Sequence, residues 1–243
     1  MIGAWLRRRN EKRARDYLRG CGVMDLLARG DQSEIPPVLY DLYNLHRLVR
    51  QRRPTTVLEF GTGFSSLVLA HALSENLRDH PPAAPAKAKG APPPSPQVWT
   101  VDTNPRWIEN VAQKMPEHLR GMVTFRHSTA EVCELAGQLC HRYVNLPSVV
   151  PDFVYLDGPD PADVKGSVNG LSFTLENGGP RQVVSADMVL LEPSLKTGFF
   201  MVVDARYNNV HFLRHNLRRR YRVHLDRVNR LATFELREHT GRH

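Results

Sequence analysis

The stretch that decides the fold is TTVLEFGTGFSS, residues 55–66. An apolar run ends in the carboxylate of Glu59, and two glycines, Gly61 and Gly63, follow it with one residue between them. Small hydroxyl residues come next and lead into a segment, 65–77, whose apolar residues recur at helical spacing. The stretch therefore predicts a buried strand, a glycine-rich turn and a helix, an arrangement with which many proteins bind a nucleotide-like cofactor.

The carboxylate of Glu59 narrows the choice of cofactor. A dinucleotide-binding turn has the pattern G-x-G-x-x-G, and here Ser66 stands where the third glycine would be. A carboxylate at this point would repel a pyrophosphate, whereas it would attract a positively charged group. S-adenosylmethionine presents an ammonium and a sulfonium and has no phosphate. The turn therefore favours S-adenosylmethionine; the rival interpretation is a dinucleotide-dependent oxidoreductase.

A second acid supports this interpretation. Asp102 ends the apolar stretch VWTVD, where a carboxylate can accept hydrogen bonds from the two hydroxyls of a ribose. Asp102 lies 39 residues after Gly63, but 18 of these residues, 79–96, belong to a segment rich in proline and alanine. The 21 residues that remain match the spacing of roughly 20 residues expected for a ribose ligand.

Strands and helices alternate along most of the chain. The alternation predicts an α/β protein, a Rossmann-like three-layer sandwich with helices on both faces of a mostly parallel sheet. Two closing strands with little more than Asn229 between them predict a C-terminal antiparallel hairpin. We expect strands at 56–60, 98–102, 122–128, 152–157, 199–205, 221–228 and 230–238, and helices over 39–49, 65–77, 105–115, 130–143, 185–195 and 208–221.

The composition restricts location and partners. The 243 residues are 41% hydrophobic, enough for one sizeable core, and carry a net charge of +8, which permits contact with nucleic acid. No apolar run reaches the length of a membrane span, and the N-terminus lacks the apolar region of a secretory signal. Three sparse cysteines, Cys21, Cys133 and Cys140, predict reduced thiols and a cytoplasmic location, with Cys133 and Cys140 in the core on the expected helix 130–143.

Four features together resemble a known enzyme family. VLEFGTGFSS, VWTVDTNP, DFVYLDGP and the closing hairpin are similar to class I S-adenosylmethionine-dependent methyltransferases, over roughly residues 35–238. The resemblance implies a seven-stranded sheet of order 3-2-1-4-5-7-6 whose seventh strand is antiparallel. It also implies which residues bind the cofactor: Glu59, Gly61, Thr62 and Gly63 for the methionine part, Asp102 for the ribose, and Ser128 and Thr129 beside the adenine. Ser65 departs from the glycine of many members, but its hydroxyl can cap the helix.

The chain is expected to comprise a main domain with two appended segments. Residues 1–34 are read as a basic helical arm, either a solvated helix or a surface for membrane or nucleic acid, and 35–238 as the methyltransferase-like domain. Within that domain 79–97 is a Pro/Ala-rich insertion expected to be disordered, and 239–243 is a tail. The Gly- and Pro-rich segment 158–182 is a candidate lid or binding loop.

The expected site lies at the carboxyl ends of the strands. That rule brings together Glu59, Asp102, Ser128, Asp157 and Asp204. Asp157, at the end of the fourth strand, is the candidate catalytic residue. It could orient the cofactor or substrate, deprotonate an acceptor hydroxyl, or bind a metal.

A metal is the less favoured alternative. Asp157 and Asp204 could hold a divalent ion with an amide of Asn208 or Asn209, but Ala205 stands where some metal-dependent methyltransferases carry that amide. The i,i+4 pair His211 and His215 lacks a third ligand, so zinc is not expected there.

The acceptor is expected to be a hydroxyl of a small molecule or sugar. DGPD at 157–160 differs from the [DN]-P-P-[YF] turn of enzymes that methylate base amino groups, and no cysteine lies at a strand end to attack a pyrimidine. Two alternatives stay open: a non-catalytic protein that only binds S-adenosylmethionine, and a nucleic-acid methyltransferase that uses the basic surface around RHNLRRRYR, 214–222.

Overall fold

The computed structural model describes residues 2–28, 36–81, 95–204 and 207–238. The helices are α1 (Ile2–Gly20), α2 (Val23–Leu27), α3 (Leu39–Arg52), α4 (Phe64–Asp79), α5 (Pro105–Lys114), α6 (Glu117–Arg120), α7 (Asp187–Leu191) and α8 (Tyr207–Asn216). The strands are β1 (Thr56–Phe60), β2 (Gln97–Asp102), β3 (Val123–His127), β4 (Ala130–Leu135), β5 (Gln138–Tyr143), β6 (Phe153–Leu156), β7 (Val164–Lys165), β8 (Phe200–Asp204), β9 (Tyr221–Asp226) and β10 (Leu231–Leu236).

Seven strands form the central sheet in the order β3-β2-β1-β6-β8-β10-β9. Strands β3, β2, β1, β6 and β8 pair in parallel, whereas β10 is antiparallel to both of its neighbours. When the strands of this sheet alone are numbered along the chain, their order is 3-2-1-4-5-7-6, and the seventh strand, β10, is the antiparallel one. The α/β class, the strand order and the C-terminal hairpin predicted from the sequence are confirmed.

The strands are buried on both faces of the sheet, as expected where helices cover each side. In β1, Leu58 and Phe60 belong to one hydrophobic cluster, whereas Val57 belongs to another cluster with Val98 and Phe153 on the opposite face. This alternation follows from the two-residue period of a strand and produces the three layers of the sandwich.

The helix expected over 130–143 is wrong: this segment forms the hairpin of β4 and β5. Residues Ala136 and Gly137 both have positive φ, 52° and 75°, which is the backbone of the two-residue turns that close tight hairpins. With β7 the hairpin makes a second, three-stranded sheet of order β5-β4-β7. Cys133 and Cys140 lie directly opposite each other in it, with their Sγ atoms 3.4 Å apart.

The basic N-terminal segment is helical, but it is not a solvated arm. Ala14 and Leu18 of α1 are fully buried and pack with Leu42 and Tyr43 of α3. The amphipathic pattern was too weak to predict this packing. Other predicted elements change in length: α7 ends at Leu191, and α8 ends at Asn216, several residues before the expected 221.

Some predictions fall outside the described residues. These are the middle of the proposed insertion, 82–94, the end of the arm, 29–34, and the tail 239–243. Among the residues that are described, no helix has both the length and the apolarity needed to cross a membrane.

Candidate active site

The strand register brings the predicted acids to one edge of the sheet. Phe60 of β1 pairs with Val101 on one side and with Leu156 on the other, and Leu156 pairs with Val203. The residues that follow these partners are Asp102, Asp157 and Asp204. Because the strands are parallel, the three carboxylates leave the sheet at the same level, at the edge where open α/β sheets bind ligands.

The turn after β1 requires glycine at its first position. Gly61 has φ of +97°, and a Cβ placed there would lie 3.2 Å from the carbonyl oxygen of Gly158. Its N–H donates to the carbonyl of Val101 at 2.8 Å. The turn is therefore packed against the segment that follows β6, and only a residue without a side chain fits.

Glu59 lies beneath the turn and does not line the cavity described below. Its side chain is fully buried, and Ser66 Oγ donates a hydrogen bond to Oε2. Ser66 Oγ in turn accepts a hydrogen bond of 3.2 Å from the N–H of Gly63. Burial raises the pKa of Glu59 to about 7, against the opposing effect of the Ser65, Ser66 and Thr100 hydroxyls. The carboxylate therefore supports the turn through Ser66.

The carboxylate of Asp102 connects the turn after β1 with the turn after β2. Its Oδ2 accepts from the N–H of Thr62 and its Oδ1 from the N–H of Asn104, each at 2.7 Å. Burial raises the pKa of Asp102, and these amide donors oppose the rise. Ser128 lies next to it, because the N–H of Ser128 donates to the carbonyl of Asp102 at 3.0 Å.

A cavity of about 650 Å³ opens above the turn. Four of the predicted site residues line it: Thr62, Gly63, Ser65 and Asp157. Five do not: Glu59, Gly61, Asp102, Ser128 and Thr129. The rest of the lining comes from α1, the start of α3, α5, the strands β6 and β8, and the turn between β9 and β10. It includes Arg7, Glu11, Tyr40, Asp41, Trp107, Lys114, Tyr155, Asp204 and Arg230.

The two residues predicted to flank an adenine lie away from this cavity. Ser128 is 2% exposed; its Oγ donates to the carbonyl of Thr129 at 3.0 Å and accepts from the N–H of Asn145 at 2.9 Å. Thr129 is exposed. The hydroxyl of Ser128 thus stabilises the entry into the β4–β5 hairpin.

Asp41 lines the cavity but was not among the residues that the sequence patterns indicated. It lies in the first turn of α3 and lines the cavity with Asp157 and Asp204. Its Oδ1 is buried and has no hydrogen-bond partner among the described residues. Burial, and after it the negative charges of Asp204 and Asp157, together raise the pKa of Asp41 to about 8. The sequence signal that could have indicated this position is an acidic residue between the apolar positions Leu39 and Leu42 of the predicted helix.

The amide that the metal alternative needs is used elsewhere. Asn209 is 3% exposed, and its Oδ1 accepts a hydrogen bond of 3.1 Å from the N–H of Ser185. Asn208 lines a different pocket, beside Gln138 and His211. The described residues therefore give Asp157 and Asp204 no third ligand of the expected kind.

A hydrogen bond between α1 and the turn that joins β9 to β10 connects two distant parts of the chain in the wall of the cavity. Asn10 of α1 donates from Nδ2 to Oδ1 of Asn229, in the turn between β9 and β10, at 3.0 Å. Lys114, Arg7 and Arg230 add positive charges to a cavity that four acids also line, namely Glu11, Asp41, Asp157 and Asp204. The cavity can therefore contact a ligand that carries both charges.

Comparison with known proteins gives structural likeness without sequence likeness. No protein-family model and no curated protein match the chain. A protein from Staphylococcus aureus assigned as a caffeoyl-CoA O-methyltransferase superposes with a TM-score of 0.52 at 15% identity, over 94% of this chain and 99% of that one.

Two further structures cover similar shares of the chain. The SAH-bound methyltransferase PaMTH1 from Podospora anserina is 13% identical, with a TM-score of 0.49, over 94% of this chain and 97% of that one. The O-methyltransferase TomG from Streptomyces achromogenes, in complex with SAM, is 14% identical, with a TM-score of 0.46, over 94% and 90%. Together with the strand order, the Staphylococcus aureus structure shows that this chain has the class I methyltransferase fold.

Proposed function

We propose that this protein transfers a methyl group from S-adenosylmethionine to a hydroxyl of a small molecule. The observation that carries the proposal is the glycine turn at the start of α4, which opens into a cavity lined by four carboxyl groups, those of Glu11, Asp41, Asp157 and Asp204. The fold of the chain is in keeping with this activity. The proposed catalytic domain is 35–238, with α1 contributing to the cavity wall.

The residues present fit the proposed cofactor. Its amino-acid part carries a carboxylate, which suits the N-terminus of α4 at Gly63 and Phe64. Its ammonium and sulfonium are positive, which suits the acids that line the cavity. A cavity of about 650 Å³ lies within the range of roughly 300–1,000 Å³ of small-molecule sites. Asp102 is proposed as the ribose ligand because it ends β2 at the same edge of the sheet, where its carboxylate already accepts hydrogen bonds from the backbone of Thr62 and Asn104.

When bound, S-adenosylmethionine supplies an activated methyl group, and the protein positions the acceptor. Methyl transfer depends mainly on positioning, so a strong base is not required. Asp157 is proposed to orient the reacting groups. Asp41, whose pKa is about 8, suits a general base that takes the proton of an acceptor hydroxyl.

Isothermal titration with S-adenosylmethionine, S-adenosylhomocysteine and NADH tests the cofactor. Gly61→Ala should abolish binding, because the new Cβ would lie 3.2 Å from Gly158 O at φ of +97°. Gly198→Ala is the matched control, because Gly198 has φ of +88°, lies at the other edge of the sheet, and has no atom of the described residues within 4 Å of the new Cβ. Binding of NADH alone, or equal effects of the two variants, would contradict the proposal.

Transfer of a labelled methyl group tests the acceptor. Phenols, sugars and total RNA are offered to the protein, and we expect the label on a small-molecule hydroxyl. Label in RNA would favour the nucleic-acid alternative, and cofactor binding without any turnover would favour the non-catalytic one. A cytoplasmic location is proposed as well, because the free thiols of Cys21, Cys133 and Cys140 suit a reducing compartment.

A further inference from the structure

A cluster of two histidines and a glutamate lies outside the proposed active site. His46 belongs to α3, and His71 and Glu75 face it from successive turns of α4. His46 Nε2 is 3.1 Å from His71 Nδ1 and 3.3 Å from Glu75 Oε2. The three donor atoms all lie within 4.8 Å of one another. Neither the methyltransferase fold nor the proposed reaction accounts for this arrangement.

Two of the three separations between the donors match a zinc coordination sphere. Zinc binds nitrogen and oxygen ligands at about 2.0–2.1 Å in a tetrahedron, which separates neighbouring donors by about 3.3 Å. The observed separations of 3.1 and 3.3 Å are close to that value. We propose that His46, His71 and Glu75 bind one Zn²⁺ ion, with a fourth position open to water.

The outer contacts of His46 hold it in the form that a metal ligand needs. Tyr17 Oη, from α1, lies 3.0 Å from His46 Nδ1, so a proton on Nδ1 leaves the Nε2 lone pair facing the cluster.

The arginines around Glu75 are compatible with a bound cation. Arg50 Nε lies 3.2 Å from Glu75 Oε2, and Arg78 Nη2 lies 3.3 Å from Oε1. Arg50 also donates to Asp79 and to Asn76, each at 2.5 Å. Because Arg50 has these other partners, Glu75 Oε2 can turn to a metal while Arg50 stays as an outer hydrogen-bond donor.

The position of the cluster indicates what the ion would do. Asp41 and Leu42 of α3, one turn before His46, line the cavity, and so does Leu67 of α4, one turn before His71. His71 is half-buried, which gives an ion access from solvent, whereas His46 is 1% exposed. A zinc ion here would fasten α1 and α3 to α4 and so fix one wall of the cavity. This role is independent of the proposed methyl transfer.

Metal titration of the untagged protein tests the site. We expect Zn²⁺ to bind with a stoichiometry of one and Co²⁺ to give the intense visible absorption of tetrahedral coordination. At a free Zn²⁺ concentration 100 times its Kd, the ratio of folded to unfolded protein should rise about 100-fold, measured as a higher Tm. His71→Gln should weaken Zn²⁺ binding by about tenfold or more, since it removes a direct ligand.

The exposed pair His211 and His215 provides the matched control. These side chains share one face of α8 at i,i+4 spacing, as His71 and Glu75 do on α4. The double variant His211→Gln/His215→Gln should bind Zn²⁺ as tightly as the unaltered protein. Loss of binding in this double variant with retention in His71→Gln would overturn the proposal. If His71→Gln does not fold, the cobalt spectrum decides: octahedral cobalt in the unaltered protein would also overturn it.

Discussion

The stability of the variant in which glutamine replaces the buried Glu59 should increase, relative to that of the wild type, as the pH rises. The pKa of Glu59 is raised from 4.5 to about 7 in the folded state, mainly by burial. Between these values the unfolded chain loses its proton while the folded protein keeps it, so the wild type loses stability as the pH rises. The linkage relation puts this loss at about 2.5 kcal/mol between about pH 5 and pH 8. Glutamine has a similar shape and cannot ionise.

Urea unfolding followed by tryptophan fluorescence measures the effect at both pH values. The free energy of unfolding of Glu59→Gln, relative to that of the wild type, should rise by about 2.5 kcal/mol from pH 5 to pH 8. Other buried carboxyls with raised pKa values, Asp41 and Asp187, are present in both proteins and cancel in this difference. Glu109→Gln, on the exposed face of α5, is the control and should leave the pH dependence unchanged.

Two results would refute this reasoning. A difference that does not change with pH would mean that Glu59 titrates alike in the folded and unfolded protein. A shift in the opposite direction would mean that the hydroxyls of Ser65, Ser66 and Thr100 stabilise the ionised carboxylate more than burial destabilises it.

Three further predictions concern Asp187, the pair Cys133 and Cys140, and Asp41. Asp187→Ala should lower the free energy of unfolding by about 1–3 kcal/mol, measured in urea, because the buried N–H of Tyr143 loses an acceptor at 3.0 Å. Hydrogen peroxide should join Cys133 and Cys140 in a disulfide, because their Sγ atoms are 3.4 Å apart; mass spectrometry should show the loss of two hydrogen atoms, and Cys133→Ser should prevent it. On the proposed function, methyl transfer should rise with pH around about 8, the pKa of Asp41, and Asp41→Asn should lower the rate and remove that rise.

The sequence predicted the main sheet because strand and turn signals repeat along the chain. The apolar runs that end in Glu59, Asp102, Asp157 and Asp204 are the strands that pair in parallel, and a parallel sheet brings their ends to one edge. The reversed β10 followed from two strands with almost no linker. These inferences need only local spacing, which a single sequence contains.

The hairpin at 130–143 was missed because its apolar residues also fit a helix. Val132, Leu135 and Leu139 recur at intervals of three and four residues, so the period does not separate the two structures. The deciding feature is the turn at Ala136 and Gly137, where both residues adopt positive φ. Ala136 is an unusual residue for that backbone, so the turn gives a weak signal in the sequence.

The sequence predicted where in the sheet the candidate site lies, but it did not predict in which direction the side chains there point. Asp157 lines the cavity as expected, whereas Glu59 turns inward to Ser66. Asp41 reaches the cavity from α3, more than a hundred residues before Asp157 in the chain. Such a contact depends on how α3 packs on α4, and a sequence pattern does not specify that packing.

The inward orientation of Glu59 changes how a loss of cofactor binding should be interpreted. Glu59→Ala would remove the acceptor of the Ser66 hydroxyl, which itself accepts from Gly63, so the turn could change shape without any lost contact to a ligand. Glu59→Gln removes the charge and replaces one oxygen by an NH2 group, but it keeps an acceptor oxygen for the Ser66 hydroxyl. If the negative charge attracts the ammonium from beneath the turn, affinity for S-adenosylmethionine falls in both variants. If Glu59 acts only as a support, affinity falls in Glu59→Ala alone, and the charge for the cofactor comes from Asp41, Asp157 and Asp204.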